Sequence, residues 1–238
     1  MTAGLAGSSV LTGLVARSGY WTGLETFKKL DYDTYENERL TQLNQQLLKL
    51  VGFEDDYAEI FPGWVSDAID RKIDKIDATP FVEFVSECHR NNPWIWKDPR
   101  LNLTMPAWAR WLDLDSIRFL MITREQTQSW ISSTLRRQIQ TYSYHAAYND
   151  RVKRAIHAFF DKHSLEHLPI VYEDLVVKPE QTLKQLNQFL ETRLTLNDLE
   201  QIYSRTLYKR QHGPRSLVKA LLIYLKNYHE RRFLDYAS

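Results

Sequence analysis

The chain has 238 residues, 43% hydrophobic and 26% charged, which suits one globular domain with a sizeable core and excludes disordered or repeat architectures. Lys and Arg number 31 against 30 Asp and Glu, so no global field points to nucleic acid or an anionic membrane, and only local fields are left open. A single cysteine, Cys88, excludes internal disulfides and cysteine-rich metal centres; no run reaches the roughly 20 apolar residues of a membrane span, and no signal peptide opens the chain, so a cytoplasmic protein with one domain over residues 1–238 is expected.

Seven of the eight glycines lie in the first 63 residues, which concentrates backbone freedom at that end. There Gly7-Ser8-Ser9 precedes Val10 to Val15 and predicts a helix whose free amides the serine hydroxyls cap, with Gly13 an interior cost. Tyr35-Glu36-Asn37-Glu38 leads into Leu40, Leu43, Leu47 and Leu50 at helical spacing, with Gly52 placed to end that helix. Residues 31–77 carry twelve acids against five bases, and 53–80 read as loop with one short helix near the Pro62-Gly63 turn. Trp94-Ile95-Trp96 predicts a short strand that Lys97-Asp98-Pro99-Arg100 breaks at its proline. Ile117 to Thr123 reads as a buried strand followed by a helix over Glu125 to Gln138, and Tyr142, Tyr144, His145 and Tyr148 read as a packed loop or the wall of a binding site. Leu168 to Tyr172 is another strand, after which Glu173-Asp174 caps a helix carrying Leu183, Leu186, Phe189 and Leu190. A last amphipathic helix bears Leu217, Leu221, Tyr224, Leu225 and Tyr228, within a stretch from 203 to 232 that holds eight bases and one acid. Strands alternating with helices predict an α/β fold with a parallel sheet.

In such sheets ligands bind beyond the C-terminal strand ends, where helix N-termini offer free amides. Three segments fit that position: Gly4 to Ser9, Lys97 to Arg100, and Arg124 with the helix behind it. Ser132 lies eight residues after Arg124, about two helical turns, so a guanidinium fork and a hydroxyl can face one anion. His163 and His167 have ligand spacing, yet Pro169 follows and no third ligand is apparent, so no metal is expected. Cys88 reads as an inert buried thiol, and the tryptophans at 94, 96, 108 and 111 as packing.

These segments, in this order, resemble the sulfotransferases that use PAPS (3'-phosphoadenosine-5'-phosphosulfate). In that family a strand runs into an arginine with a serine eight residues on, as in Ile122-Thr123-Arg124 and Ser132, and the resemblance assigns that pair to the 3'-phosphate. Lys97-Asp98-Pro99 resembles the segment whose lysine stabilises the transferring sulfuryl group, and Tyr172-Glu173-Asp174-Leu175 with Lys178-Pro179-Glu180 resembles a late family signature. The family's phosphosulfate loop is approximately Gly-x-x-Arg-Ser-Gly-Thr-Ser; Gly7, Ser8 and Ser9 fit its second half, Leu5 stands where the basic residue belongs, and the apolar strand before the loop is missing, so the loop is degenerate or truncated. A competing register uses Arg17-Ser18-Gly19 as the loop and Val10 to Val15 as its strand. The resemblance implies a three-layer α/β/α fold with a central parallel sheet, like the P-loop nucleotide kinases. It also implies PAPS as co-substrate and a small-molecule, carbohydrate or lipid acceptor bearing a hydroxyl or amine. Glu36 is the candidate base, with Glu38 and His89 behind it. The alternative is a sulfotransferase-like domain that binds nucleotide or a partner without turnover. A nucleotide kinase fits poorly, because no Gly-x-x-x-x-Gly-Lys-Ser/Thr loop is present.

Overall fold

The computed structural model describes residues 1–2, 6–29, 32–53, 61–203 and 212–230. Helix α1 (Ser8–Ala16) buries Val10, Leu11, Leu14 and Val15. Neither serine caps it; Gly7 stands before it in the left-handed region at φ 86°, and its carbonyl accepts from the amides of Val10 and Leu11 at 3.0 and 3.2 Å. Since Val10 to Val15 is helical, the register with Arg17-Ser18-Gly19 as the loop is excluded.

Strands β1 (Thr26–Lys29) and β2 (Tyr32–Asn37) form an antiparallel ribbon that the sequence pattern does not announce. Its Tyr35 ring lies on Gly13, where an added Cβ would sit 2.6 Å from Cε2. The glycine that weakens the helix locally is therefore the docking point for the ribbon. Helix α2 (Glu38–Leu50) begins where Asn37 Oδ1 accepts from the Leu40 amide at 3.1 Å and ends before Gly52 at φ 74°. Its buried face holds the expected Leu40, Leu43 and Leu47, with Leu48 buried in place of Leu50.

Helix α3 (Trp64–Lys72) is the short helix expected after the Pro62-Gly63 turn, and a 3-10 turn over Ile73–Lys75 leads to α4 (Thr79–Arg90), which sequence reading did not place. Trp94-Ile95-Trp96 is not a strand: it makes a single parallel bridge, Trp21 donating to the Pro93 carbonyl at 2.7 Å and Ile95 to the Trp21 carbonyl at 2.9 Å. The indoles pack instead, Trp96 lying 5.4 Å from Phe84 and 4.8 Å from Trp108 between ring centroids. Helix α5 (Leu101–Trp108) follows at once.

The strand β3 (Phe119–Thr123), helices α6 (Gln126–Leu135) and α7 (Tyr142–Lys162), and strand β4 (His167–Val171) form the βα part of the fold. Glu125 caps α6 by accepting from the amides of Thr127 and Gln128, both at 2.8 Å. Tyr142 to Tyr148 is not a loop but the opening of α7, capped where Thr141 Oγ1 accepts from the Tyr144 amide at 3.2 Å. After β4 come α8 (Asp174–Val177), α9 (Pro179–Leu190), α10 (Leu196–Tyr203) and α11 (Pro214–Lys226).

β3 and β4 run parallel, in register from Phe119 opposite His167 to Thr123 opposite Val171. Phe119 and Met121 join a core with Val152, Ile156, Phe159 and Phe160 of α7, while Ile122 and Ile170 join the other core with Val10 and Leu14 of α1 and Leu183 and Leu186 of α9. Alternate residues of one strand thus serve helices on opposite faces, the physical content of an α/β class. Among the described residues the parallel sheet is narrow, two strands plus a bridge from Thr2 to Ile122 beside β3, where the family's first strand was expected to be missing. A cavity of about 400 Å³ lies alongside, lined by Leu11, Trp94, Trp96, Lys97, Met105 and Leu120 among others. No described helix is long and apolar enough to cross a membrane.

Candidate functional site

Lys97 and Glu36, each singled out from sequence, are 61 residues apart and form an ion pair in which the Lys97 ammonium donates to Glu36 Oε1. Both side chains are largely shielded, at 10% and 21% exposure, which strengthens their attraction over that of a surface pair. Glu38 opens α2, and His89 sits exposed on α4 at the rim of the cavity that Lys97 also lines. Of the three candidate bases, Glu36 is the one held against Lys97.

What fixes Lys97 is its neighbour. The Asp98 side chain is fully buried and its carboxylate is saturated: Oδ2 accepts from Thr41 Oγ1 and Asn44 Nδ2, both at 3.0 Å, and Oδ1 from the Arg100 amide at 2.8 Å and its Nη1 at 3.1 Å. Asn44 Oδ1 in turn accepts from Thr104 Oγ1 at 2.7 Å and Trp108 Nε1 at 2.8 Å. This buried network ties α2, the Lys97 loop and α5 together, with every Asp98 oxygen satisfied. Sequence reading missed Thr41 and Asn44, although two polar residues set among the core leucines of α2 were a usable signal.

Arg124 and Ser132 meet as their spacing suggests, Arg124 Nη1 donating to Ser132 Oγ at 3.3 Å. The guanidinium lies over the Tyr172 ring at 4.7 Å from its centroid, and its Nε is 3.4 Å from Glu173 Oε1. Glu173 was expected to cap the helix after β4; it makes no cap bond, and its Oε2 accepts from the Glu125 amide at 3.0 Å, bracing Arg124 from the side. Tyr172, unassigned from sequence, is also the floor under Gly7: a Cβ on Gly7 would lie 2.1 Å from Tyr172 Cδ2, so only glycine lets the turn into α1 settle there. One ring thus joins the start of α1 to Arg124.

The approach at Gly7 and the open first turn of α1 test whether a phosphosulfate fits. Among the described residues no backbone acceptor takes the amides of Ser8 and Ser9, and neither serine hydroxyl has a partner. Ser8 and Lys97 line the same cavity, so a helix N-terminus and an ammonium border one space, a donor set that suits an anion. Leu5, where the family loop carries its basic residue, lies outside the described residues, as do Arg205, Lys209 and Arg210 of the basic stretch.

His145, His163, His167 and Cys88 take structural places. His163 caps the end of α7 and His167 opens β4, where it stacks on Phe160 at 4.3 Å, so the two do not share a helical face. His145 is core, with Nδ1 2.8 Å from Gln140 Oε1 and Nε2 2.9 Å from Ser129 Oγ, and burial pushes its pKa down to about 4. It cannot wall an acceptor site. Cys88 is buried, accepts from Trp96 Nε1, and burial pushes its thiol up to about 11, in keeping with an inert thiol.

His145 gives a pH signature. The unfolded chain takes up a proton near 6.5 and the folded one near 4, so the folded state gains over that window as pH rises. We expect the contribution of this residue to be complete above about pH 6.5 and to fall by about 3 kcal/mol as the pH drops to 4. Urea unfolding of wild type and His145→Gln across that range checks it: the two stability curves should converge toward pH 4, and parallel curves would refute it.

No family model, no curated protein and no solved structure matches the chain.

Proposed function

We propose that the chain transfers the sulfuryl group of PAPS to a hydroxyl or amine acceptor and releases adenosine 3',5'-bisphosphate. The observation that carries this reading is the Lys97–Glu36 ion pair at the cavity shared with the start of α1. Arg124 and Ser132 would hold the 3'-phosphate, while Gly7, Ser8 and Ser9 would receive the phosphosulfate on backbone amides and hydroxyls. Sulfuryl transfer is an in-line displacement resembling phosphoryl transfer, so the protein positions groups and neutralises charge. Lys97 turns from Glu36 toward the sulfuryl oxygens as negative charge gathers there. The released Glu36 carboxylate takes the acceptor proton, the acceptor oxygen or nitrogen bonds to sulfur, and the bond from sulfur to the bridging phosphate oxygen breaks. In the resting protein the same pair keeps both charges neutralised.

Leu5 favours a second reading, binding without turnover, because the loop lacks a basic residue to balance the phosphosulfate. Sulfur-labelled PAPS offered with a panel of small alcohols, amines, saccharides and lipid alcohols separates the two. Transfer of label to one acceptor class, with stoichiometric adenosine 3',5'-bisphosphate, is the expected result. Nucleotide binding with no labelled product on any acceptor would favour the binding module.

A further inference from the structure

Helix α11 leaves most of its apolar surface uncovered. It is held on α6 by Ala220, its one buried residue, and by Tyr224, whose ring meets Trp130 at 5.7 Å. Val218, Leu222 and Leu225 are 56%, 63% and 66% exposed, with Leu221 beside them at 43%. At about 100° per residue these four fall on one stripe, turned away from the Ala220 side. Arg215, Lys219 and Lys226, all exposed, form a basic row along the edge of that stripe, and Pro214–Lys226 contains no acid. The supporting α6 carries no acid either, and exposed Arg136 and Arg137 follow it.

We propose that α11 lies on an anionic membrane surface, with Val218, Leu221, Leu222 and Leu225 in the acyl boundary and the basic row on the headgroups. An apolar stripe bordered by bases and free of acids matches a surface that offers hydrocarbon and negative charge side by side. Lysine stems extend over the apolar edge while their ammonium groups stay at the phosphates. A second copy of this chain is the poorer occupant, because antiparallel pairing through the stripe would bring two basic rows to one seam and parallel pairing would give neither row an acidic partner from α11. The near-neutral total charge hides this field, since Pro214–Lys226 has bases and no acid while residues 31–77 hold twelve of the thirty acids. The contact stands whether or not the chain transfers sulfuryl groups.

Co-sedimentation of the full chain with phosphatidylcholine vesicles, and with vesicles containing one part phosphatidylglycerol to three of phosphatidylcholine, tests it. Binding to the anionic vesicles, weakened by salt, is expected. Leu222→Glu with Leu225→Glu, and separately Lys219→Glu with Lys226→Glu, should each lower the affinity at least about tenfold, with the wild-type circular dichroism retained. Because the substituted positions are exposed, the folded core is left intact. No binding, equal binding to neutral vesicles, or binding insensitive to both double variants would overturn the proposal. So would a dimer seen by light scattering without vesicles that Leu222→Glu abolishes.

Discussion

Truncating Lys97 to alanine is expected to lower turnover by about 10²–10³-fold, the usual cost of losing one group that stabilises transition-state charge. Nucleotide affinity should change much less, because Lys97 faces Glu36 while Arg124 and Ser132 meet elsewhere in the site. The fold should also survive, since Glu36 retains 21% exposure and can be hydrated when its partner is gone. The informative comparison is kcat against Kd for adenosine 3',5'-bisphosphate in the same variant. Equal losses in both would mean that Lys97 serves binding alone, and an unchanged kcat would remove it from the chemistry. Glu36→Gln adds a control: it abolishes the carboxylate as a proton acceptor, so both variants should lose turnover, whereas a purely structural ion pair would show itself in the melting temperature.

The second large effect is on stability. Asp98→Ala removes a carboxylate that accepts four hydrogen bonds, leaving Thr41, Asn44 and Arg100 with buried donors unmatched. Breaking a buried, hydrogen-bonded charge pair from one side costs about 3–5 kcal/mol. For a chain of this size that corresponds to a fall in Tm of about 6–20 °C. Asp98→Asn should fall between, because it keeps one acceptor oxygen but turns an amide toward the Thr41 and Asn44 donors. A thermal scan of the three proteins measures this. An Asp98→Ala Tm within about 2 °C of wild type would show that the network does not hold α2 to the Lys97 loop.

Much of this arrangement is legible in the sequence, and the illegible parts have identifiable causes. β3 and α6 are readable because a run of apolar residues gives way to polar ones at Arg124, and α2 because its leucines keep helical spacing. α7 was open to the same test, since Tyr144, Tyr148, Val152, Ile156 and Phe160 recur every four residues, but its polar aromatic opening disguised the period. Trp94-Ile95-Trp96 has strand composition, yet its indoles find a better partner in the Phe84 and Trp108 cluster than in a ladder. The β1–β2 ribbon has too few apolar residues to announce itself and depends on Tyr35 finding Gly13.

At the site, the residue types and the meeting of Arg124 with Ser132 were readable, and the other partners were not. Glu173 sits beside Asp174 and looks like a cap, but its contacts are Arg124 and the Glu125 amide, which only the pairing of β3 with β4 brings near. Tyr172 is the sharper case. The sequence placed it at a strand end and in a family signature but gave it no role, yet it supports both Gly7 and Arg124. The encounter of Lys97 with Glu36 likewise depends on the whole packing of α2 against the loop that Asp98 anchors.

Calorimetry with adenosine 3',5'-bisphosphate on wild type and Arg124→Ala tests the central claim most directly, because it asks whether this site recognises a 3'-phosphorylated nucleotide at all. The account predicts binding in the micromolar range for wild type and a loss of at least about tenfold in the variant, as removal of a charge-assisted pair to phosphate requires. Absence of binding to wild type at low and moderate salt, or equal binding to both proteins, would contradict it.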